Sequence, residues 1–363
     1  MMTRSVFVSL LSAALFGMGG ASHPTLAQNR TTSGTATLDA GGTVHVDNHE
    51  GSITVETWDR AEVRYEAVVR PEPDATHPEA TVVRVERDDD RLALRTEYDE
   101  SGEGDNDDGL LDRLFGGTSR NLMPVAYTLT VPRAARVEVD DHESDIAVQG
   151  LSGPVAIETH DGTIALTDQD GRAELDSHDG PIRVQNQTGG LTADTHDGKI
   201  ELTGQDGDAR IESHDGPIHV ENHTGPVTIE THDSEVRLSS IEGRVRVDTH
   251  DSNIEADGLQ GGLRVDTHEG TGRFGFAALP DNVDIATNGG DFTLLLPAGT
   301  GFDLRTDFSD EDARLRADFD LSPYRLSTSD DDDEVNYSGR VNGGGPRLSL
   351  SASDGDFEIR TQQ

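Results

Sequence analysis

Cysteine is absent from the 363 residues, which excludes disulfides, thiolate metal sites, cysteine nucleophiles and a lipidated-cysteine anchor. Lysine is nearly absent as well: Lys199 is the single one, and the other cationic side chains are arginines. Positive charge is scarce altogether, with 29 Lys+Arg against 70 Asp+Glu and a formal net charge of −41. Such a chain repels phosphate backbones and disfavours docking on anionic lipid, so no nucleic-acid partner is expected. Aromatic residues make up 4%, and Trp58 is the only tryptophan, which leaves little for stacking on sugars. Beyond the N-terminus no apolar run reaches the length of a transmembrane helix, so the mature chain is expected to have no transmembrane segment.

Hydrophobic residues are only 33% of the chain, a composition that with this net charge is typical of disorder. The β-branched content and a regular spacing of glycine argue instead for a fold. An acidic, arginine-rich, lysine-poor chain points to a salt-loving source, because salt of high concentration screens such self-repulsion to a few ångströms. Residues 1–28 read as an export signal, with Arg4 as the positive start and Val6 to Phe16 as an apolar stretch too short to span a bilayer comfortably. Thr25-Leu26-Ala27 is the small-x-small cleavage site, with Gly19-Gly20-Ala21 as its competitor. The mature protein is thus expected in the periplasm, on the cell surface or outside the cell.

A repeat dominates the middle of the chain. His142, His160, His178, His196, His214, His232, His250 and His268 follow one another at intervals of 18 residues without a slip. Half that period is marked by Gly153, Gly162, Gly171, Gly180, Gly189 and their successors, nine residues apart. Two and four residues after each mark stands Val, Ile, Leu or Ala, from Val155 and Ile157 to Leu263 and Val265. Alternation of period two describes a short strand with one buried face, and glycine at each boundary supplies a tight corner. Two strands and two corners make one coil of 18 residues, and coils stacked about 4.8 Å apart make an all-β solenoid with a thin core between two sheets. A left-handed hexapeptide helix is excluded, because counting by six from Ile157 gives Thr163 and Gln169. The calcium-binding nonapeptide roll fits poorly, since each unit has one glycine and its aspartates are placed differently.

The flanks are less regular. Thr43 to Val69, Thr81 to Thr96 and Val125 to Val131 alternate as strands. After His268 the count drifts, and Phe274, Phe276, Phe292 and Phe302 gather as in a terminal cap. The organisation expected is a signal segment over 1–28, an N-terminal β region over 35–135 with an acidic loop at 100–121, regular coils over 136–270, and irregular C-terminal coils with a cap over 271–363. A further acidic loop is expected over 327–334, and the final strand–corner–strand unit runs from Leu348 to Arg360.

Three segments carry a family resemblance: Gly51-Ser-Ile-Thr-Val-Glu-Thr-Trp58, Tyr127-Thr-Leu-Thr-Val-Pro132 leading into the repeats, and Gly344-Gly345-Pro346 followed by Ser353-Asp-Gly355. Over roughly Thr35 to Arg360 the chain resembles the bacterial putative-adhesin family of β-strand-repeat proteins, a domain of unknown function. The resemblance implies a β-solenoid, export and an adhesin-like role towards a surface or envelope partner, and it supplies no catalytic residues. A histidine in every coil and the extreme acidity depart from that family's usual pattern, where Asn or Ser tends to occupy the corner.

Stacking aligns the histidines into a ladder, flanked by acids two residues before (Asp140, Glu158, Asp176, Asp194, Glu212, Glu230, Asp248, Asp266) and mostly one residue after. Thr159 and its equivalents share the parity of the core, so they should seal the corner while the histidines face outward. Three chemistries fit the ladder. One is a solvated acidic face whose aspartates cap their own turns. Another is Ca2+ shared by carboxylates of adjacent coils. The last is a transition-metal site made by neighbouring imidazoles and carboxylates. No metal is assigned, the candidate ligands being His160, Asp161, His178, Asp179, His196, Asp197, His214, Asp215, His232 and Asp233, and no cofactor is expected unless the carboxylates take Ca2+. His45, His49, His219 and His223 are read as scattered surface residues. No enzyme is expected: a triad requires a unique geometry, whereas every coil here is equivalent. A polysaccharide-active enzyme on a β-helix is the alternative, and it would need a distinctive cleft with paired acids.

Overall fold

The structure, a computed structural model, describes residues 28–39, 41–71, 78–88, 90–98, 123–309, 312–326 and 335–362. The expected signal segment up to residue 27 and the acidic loops at 100–121 and 327–334 lie outside the described residues. The described chain folds into two sheets of fifteen strands each. Only two short 3-10 turns, Pro78–Ala80 and Ser322–Tyr324, interrupt them among the described residues. No helix there is long and apolar enough to cross a membrane.

The repeat dictates the pairing. Val155–Thr159 pairs in parallel with Ala173–Ser177, which pairs with Leu191–Thr195, each step advancing the register by 18 residues. In the second sheet Ile164–Thr167, Ile182–Gln185 and Ile200–Thr203 do the same. Inward residues therefore meet their own equivalents. Ile164, Ile182, Ile200, Ile218, Val236 and Ile254 form one buried column, and Val155, Ala173, Leu191, Ala209, Val227 and Val245 line the sheet opposite. The solenoid expected from the alternation is the one observed.

The two corners of a coil differ in their backbone demands. Gly150, Asp168, Asn186, Gly204, Asn222, Ser240 and Gly258, again 18 apart, all lie at φ between 53° and 74°. This left-handed conformation suits Gly, Asn and Asp, and costs other residues about 1 kcal/mol. The next residue points inward. Gln169, Gln187 and Gln205 are buried there, and each side-chain amide donates to a backbone carbonyl, of Gly153, Gly171 and Gly189 respectively.

The ends of the stack are built out of sequence order. Arg91–Tyr98 and Val125–Pro132 form a coil that sits outside the earlier strands Thr43–Asp47 and Glu50–Trp58. Antiparallel strands, Arg30–Thr37, Glu62–Val69 and Thr81–Arg87, continue the sheets beyond it. At the other end, the final strands Arg347–Ala352 and Asp356–Gln362 are inserted between the coil at 283–297 and the strands Phe302–Phe308 and Arg314–Ala317. The last strands thus have partners on both sides, a protection that an exposed sheet edge lacks. Phe274, Phe292, Phe357 and Phe308 stack in succession inside this end, with ring centroids 5.5–6.4 Å apart. Gly272 leaves the space they need, since a Cβ there would lie 2.5 Å from the Phe292 ring.

Two stability measurements check this architecture. Ile200→Asp places an unpaired charge at a fully buried position and should cost about 3 kcal/mol or more. An unchanged melting temperature would mean that the inward face is assigned one residue out of step. Ser240→Gly, at φ 56°, should stabilise by about 1 kcal/mol, whereas Ser240→Val should destabilise.

Candidate functional site

The site begins with small polar residues that close one corner from inside. Thr159, Ser177, Thr195, Ser213, Thr249 and Thr267 are buried. The threonine hydroxyls of residues 159, 195, 249 and 267 donate to the carbonyls of His142, His178, His232 and His250 at 3.0–3.3 Å. The same carbonyls accept amides from the next coil: His160 N and Asp161 N both reach His142 O, at 3.1 and 2.8 Å. The backbones of His142, His178, His232 and His250 are therefore anchored from within as well as from the next coil.

On this backbone the imidazoles stack. From His142 to His268, neighbouring ring centroids are 4.6–5.0 Å apart and the planes lie within 7° of parallel. His49, read as a scattered surface residue, extends the ladder: its ring is exposed and 4.9 Å from that of His142, tilted by 38°. The rings from His160 to His250 are each held in turn by the aspartate that follows. The Nδ1···Oδ1 distance is 2.9 Å for His160–Asp161, 2.8 Å for His178–Asp179 and 2.9 Å for His196–Asp197. It is 3.0 Å for both His214–Asp215 and His232–Asp233 and 3.1 Å for His250–Asp251. An ionised carboxylate only accepts, so Nδ1 carries the proton, and in the neutral ring Nε2 presents its lone pair. All ten candidate ligands named from the sequence fall in these two columns.

Between the histidines and the acids two residues before them runs an open groove of about 690 Å3, floored by the Thr/Ser column. Its acidic wall includes Glu158, Asp176, Asp194, Glu212 and Glu230. Partial burial raises the pKa of Asp194 above the ordinary value, the charges of Asp176 and Glu212 add to the rise, and Arg210 opposes it. Turn capping falls to threonine where the aspartates were expected to provide it: Gly162 N and Gly198 N donate to Thr159 Oγ1 and Thr195 Oγ1. At the His142 corner Asp141 follows the expected pattern, accepting from Ser144 N at 2.6 Å.

Three-residue groups recur along the ladder with one ligand atom from each member within 4.8 Å of the others. His160, His178 and Asp179 form one, Asp179, His196 and Asp197 a second, and His214, Asp215 and His232 a third. The donor set is imidazole nitrogen with carboxylate oxygen, which suits Zn2+, Ni2+ or Cu2+. Ca2+ takes six to eight oxygens, and here the corner carboxylates are already engaged with Nδ1.

Two of the four histidines read as scattered surface residues, His45 and His223, correct that expectation. His45 is buried at the base of a second depression of about 610 Å3, whose lining includes Arg91, Arg136 and Glu138. Its Nε2 is 3.7 Å from Asp140 and its Nδ1 3.9 Å from Glu138. His223 is buried in the column of Gln169, Gln187 and Gln205. Burial lowers its pKa, opposed by the backbone of Pro226 and Gly225. The 18-residue spacing from Gln205 to His223 was the available signal for that burial. His219 is half-exposed, with Arg237 Nη1 3.1 Å from its Nε2.

Fold and site together define a β-solenoid that carries a one-dimensional imidazole–carboxylate array. No protein-family model matches the sequence, and no curated protein matches it. Among solved structures, the chain is similar to a putative cell adhesion protein from Clostridium sporogenes, at 8% identity and a TM-score of 0.17, over 92% of this chain and 100% of that one. It is also similar to a putative adhesin from Bacteroides fragilis, at 13% identity and a TM-score of 0.20, over 92% and 97% of the two chains. Likeness at this level is a distant one of fold and carries no functional argument.

The acidic wall makes a prediction with a definite sign. A carboxyl with a raised pKa binds its proton more readily in the folded state, so its ionisation destabilises the fold as pH rises through that pKa. Asp194→Asn should stabilise by about 0.5 kcal/mol at neutral pH in low salt, the figure being discounted for the partial exposure of the group. The gain should shrink in about 1 M NaCl and vanish below about pH 3.5, where the carboxyl is protonated in both states. Melting curves of the two proteins over pH and salt provide the check.

Proposed function

We propose that this is an exported, non-enzymatic β-solenoid that acts as an adhesin-like interaction or scaffold protein at the cell surface or envelope. The observation that carries the proposal is the uniformity of the array. From His160 to His268 the same imidazole, carboxylate and hydroxyl recur over about 29 Å, at the spacing of the strands themselves. Catalysis uses a singular constellation, and no coil from His160 to His268 differs from its neighbours in a way that would single it out. A repeated surface suits a partner that is itself repetitive, because many weak contacts on one rigid element add to strong avidity. The strongly acidic surface favours a cationic or polyol-rich envelope polymer over an anionic one. The apolar start of the chain supports export, and the lysine-poor acidity supports a saline setting.

The test is adhesion of beads coated with the purified protein to cell envelopes and to isolated cell-wall glycans. Replacing His160, His178, His196 and His214 with asparagine in cumulative steps should weaken adhesion gradually while leaving the melting temperature within a few degrees. Saturable turnover of a polysaccharide, abolished by one substitution, would replace this reading with that of a polysaccharide-active enzyme.

A further inference from the structure

We infer that the histidine ladder binds divalent transition-metal ions, one ion for each pair of adjacent coils, through the Nε2 atoms of two neighbouring imidazoles. The carboxylate on Nδ1 is the first reason. In the rings at 160, 178 and 196 the following aspartate accepts from Nδ1 at 2.8–2.9 Å, which fixes the tautomer and leaves Nε2 as the donor. A carboxylate behind a ligating imidazole is the arrangement that orients the ring and raises its basicity towards a metal.

Spacing sets the stoichiometry. Two nitrogens on one Zn2+ lie about 2.0–2.1 Å from it, and so at most about 4.2 Å from each other. The stacked rings stand 4.6–5.0 Å apart, so two of them must tilt together to share an ion. They are free to do so, being half-exposed on a backbone pinned by the threonine hydroxyls and the amides of the next coil. A ring tilted towards one neighbour turns away from the other, so the ladder loads in pairs. The eight rings from His142 to His268 make four pairs, and His49 as a ninth adds none.

The remaining coordination is at hand. Asp179 stays on Nδ1 of His178, and solvent completes the shell in so open a groove. Acids two residues before each histidine raise the local concentration of cations without competing for Nε2. Metal loading would also relieve the repulsion along that acidic wall. The inference rests on the ladder geometry alone and stands whether or not the protein is an adhesin.

Equilibrium dialysis of the purified, chelator-treated chain against ZnCl2, at about pH 7.5 and in about 1 M NaCl to screen diffuse ion uptake, tests it. The expected result is saturation near four Zn2+ per chain, undisturbed by a tenfold excess of Ca2+. The double variant His178→Asn/His196→Asn should saturate near three, and His219→Asn, outside the ladder, should still reach four. Pulsed electron paramagnetic resonance of the Cu2+-loaded parent chain should show imidazole nitrogens on the ion, a readout independent of any variant. Absence of saturable uptake, displacement of Zn2+ by equimolar Ca2+, unchanged stoichiometry in the folded double variant, or Cu2+ without imidazole nitrogen would each overturn the inference.

Discussion

Parallel pairing of each strand of the regular coils with the strand 18 residues further on is the constraint from which the rest follows. Once it is imposed, a residue type at one position of the unit becomes a column at about 4.8 Å spacing. Aliphatic residues become a continuous core, although no single coil could bury its apolar face alone. The rule is indifferent to whether the repetition helps. It multiplies the cost of an acid as readily as the benefit of an isoleucine, so each polar column needs its own physical account.

The outward columns answer that demand in different ways. Along the middle of one sheet, Ala156, Glu174, Thr192, Arg210, Thr228, Arg246 and Arg264 follow one another, and charges of both signs are interspersed. In the other, Arg183 pairs with Glu201 of the next coil at 3.0 Å. Exposed pairs of this kind contribute little energy, but they remove repulsion. The column that leads into the histidine corner has no such mixing: every member from Asp140 to Asp266 is acidic. Negative charge is thus concentrated along one edge rather than spread evenly, and it is the edge that also carries the imidazoles.

Much of this was legible from the string because a solenoid turns a three-dimensional problem into a one-dimensional count. The parity of Ile200 relative to Gly198 identified its face, and the interval from His178 to His196 identified a lateral neighbour. The threonine parity likewise placed Thr159 inside the corner. The coils at the ends were not legible, since nothing in the sequence states that Arg347–Ala352 inserts beside Val283–Thr287 ahead of Phe302–Phe308. The second corner was legible in principle: Asp168, Asn186, Gly204 and Asn222 are the residues that tolerate a left-handed backbone, spaced by one coil. Its mixed composition hid it from a search for identical residues. His223 was misplaced for the same reason, its neighbours in the column being glutamine and isoleucine.

That mixed inner column bears on the meaning of the unmixed outer one. In space, Leu151, Gln169, Gln187, Gln205, His223, Ile241 and Leu259 occupy one buried position in successive coils, and their chemistry passes from apolar to amide to imidazole and back. Packing constrains such a position tightly, yet the coils have diverged there. The histidine position is half-exposed, touches no core and would accept many polar side chains at almost no cost in stability. It is nevertheless histidine in all eight coils from His142 to His268. Recent duplication of the unit does not account for this, because the buried column would then be uniform too. Folding does not account for it either, because the ring contributes to neither corner nor core. What remains is a requirement placed on the surface itself: an imidazole at every step, held at a fixed interval beside a carboxylate.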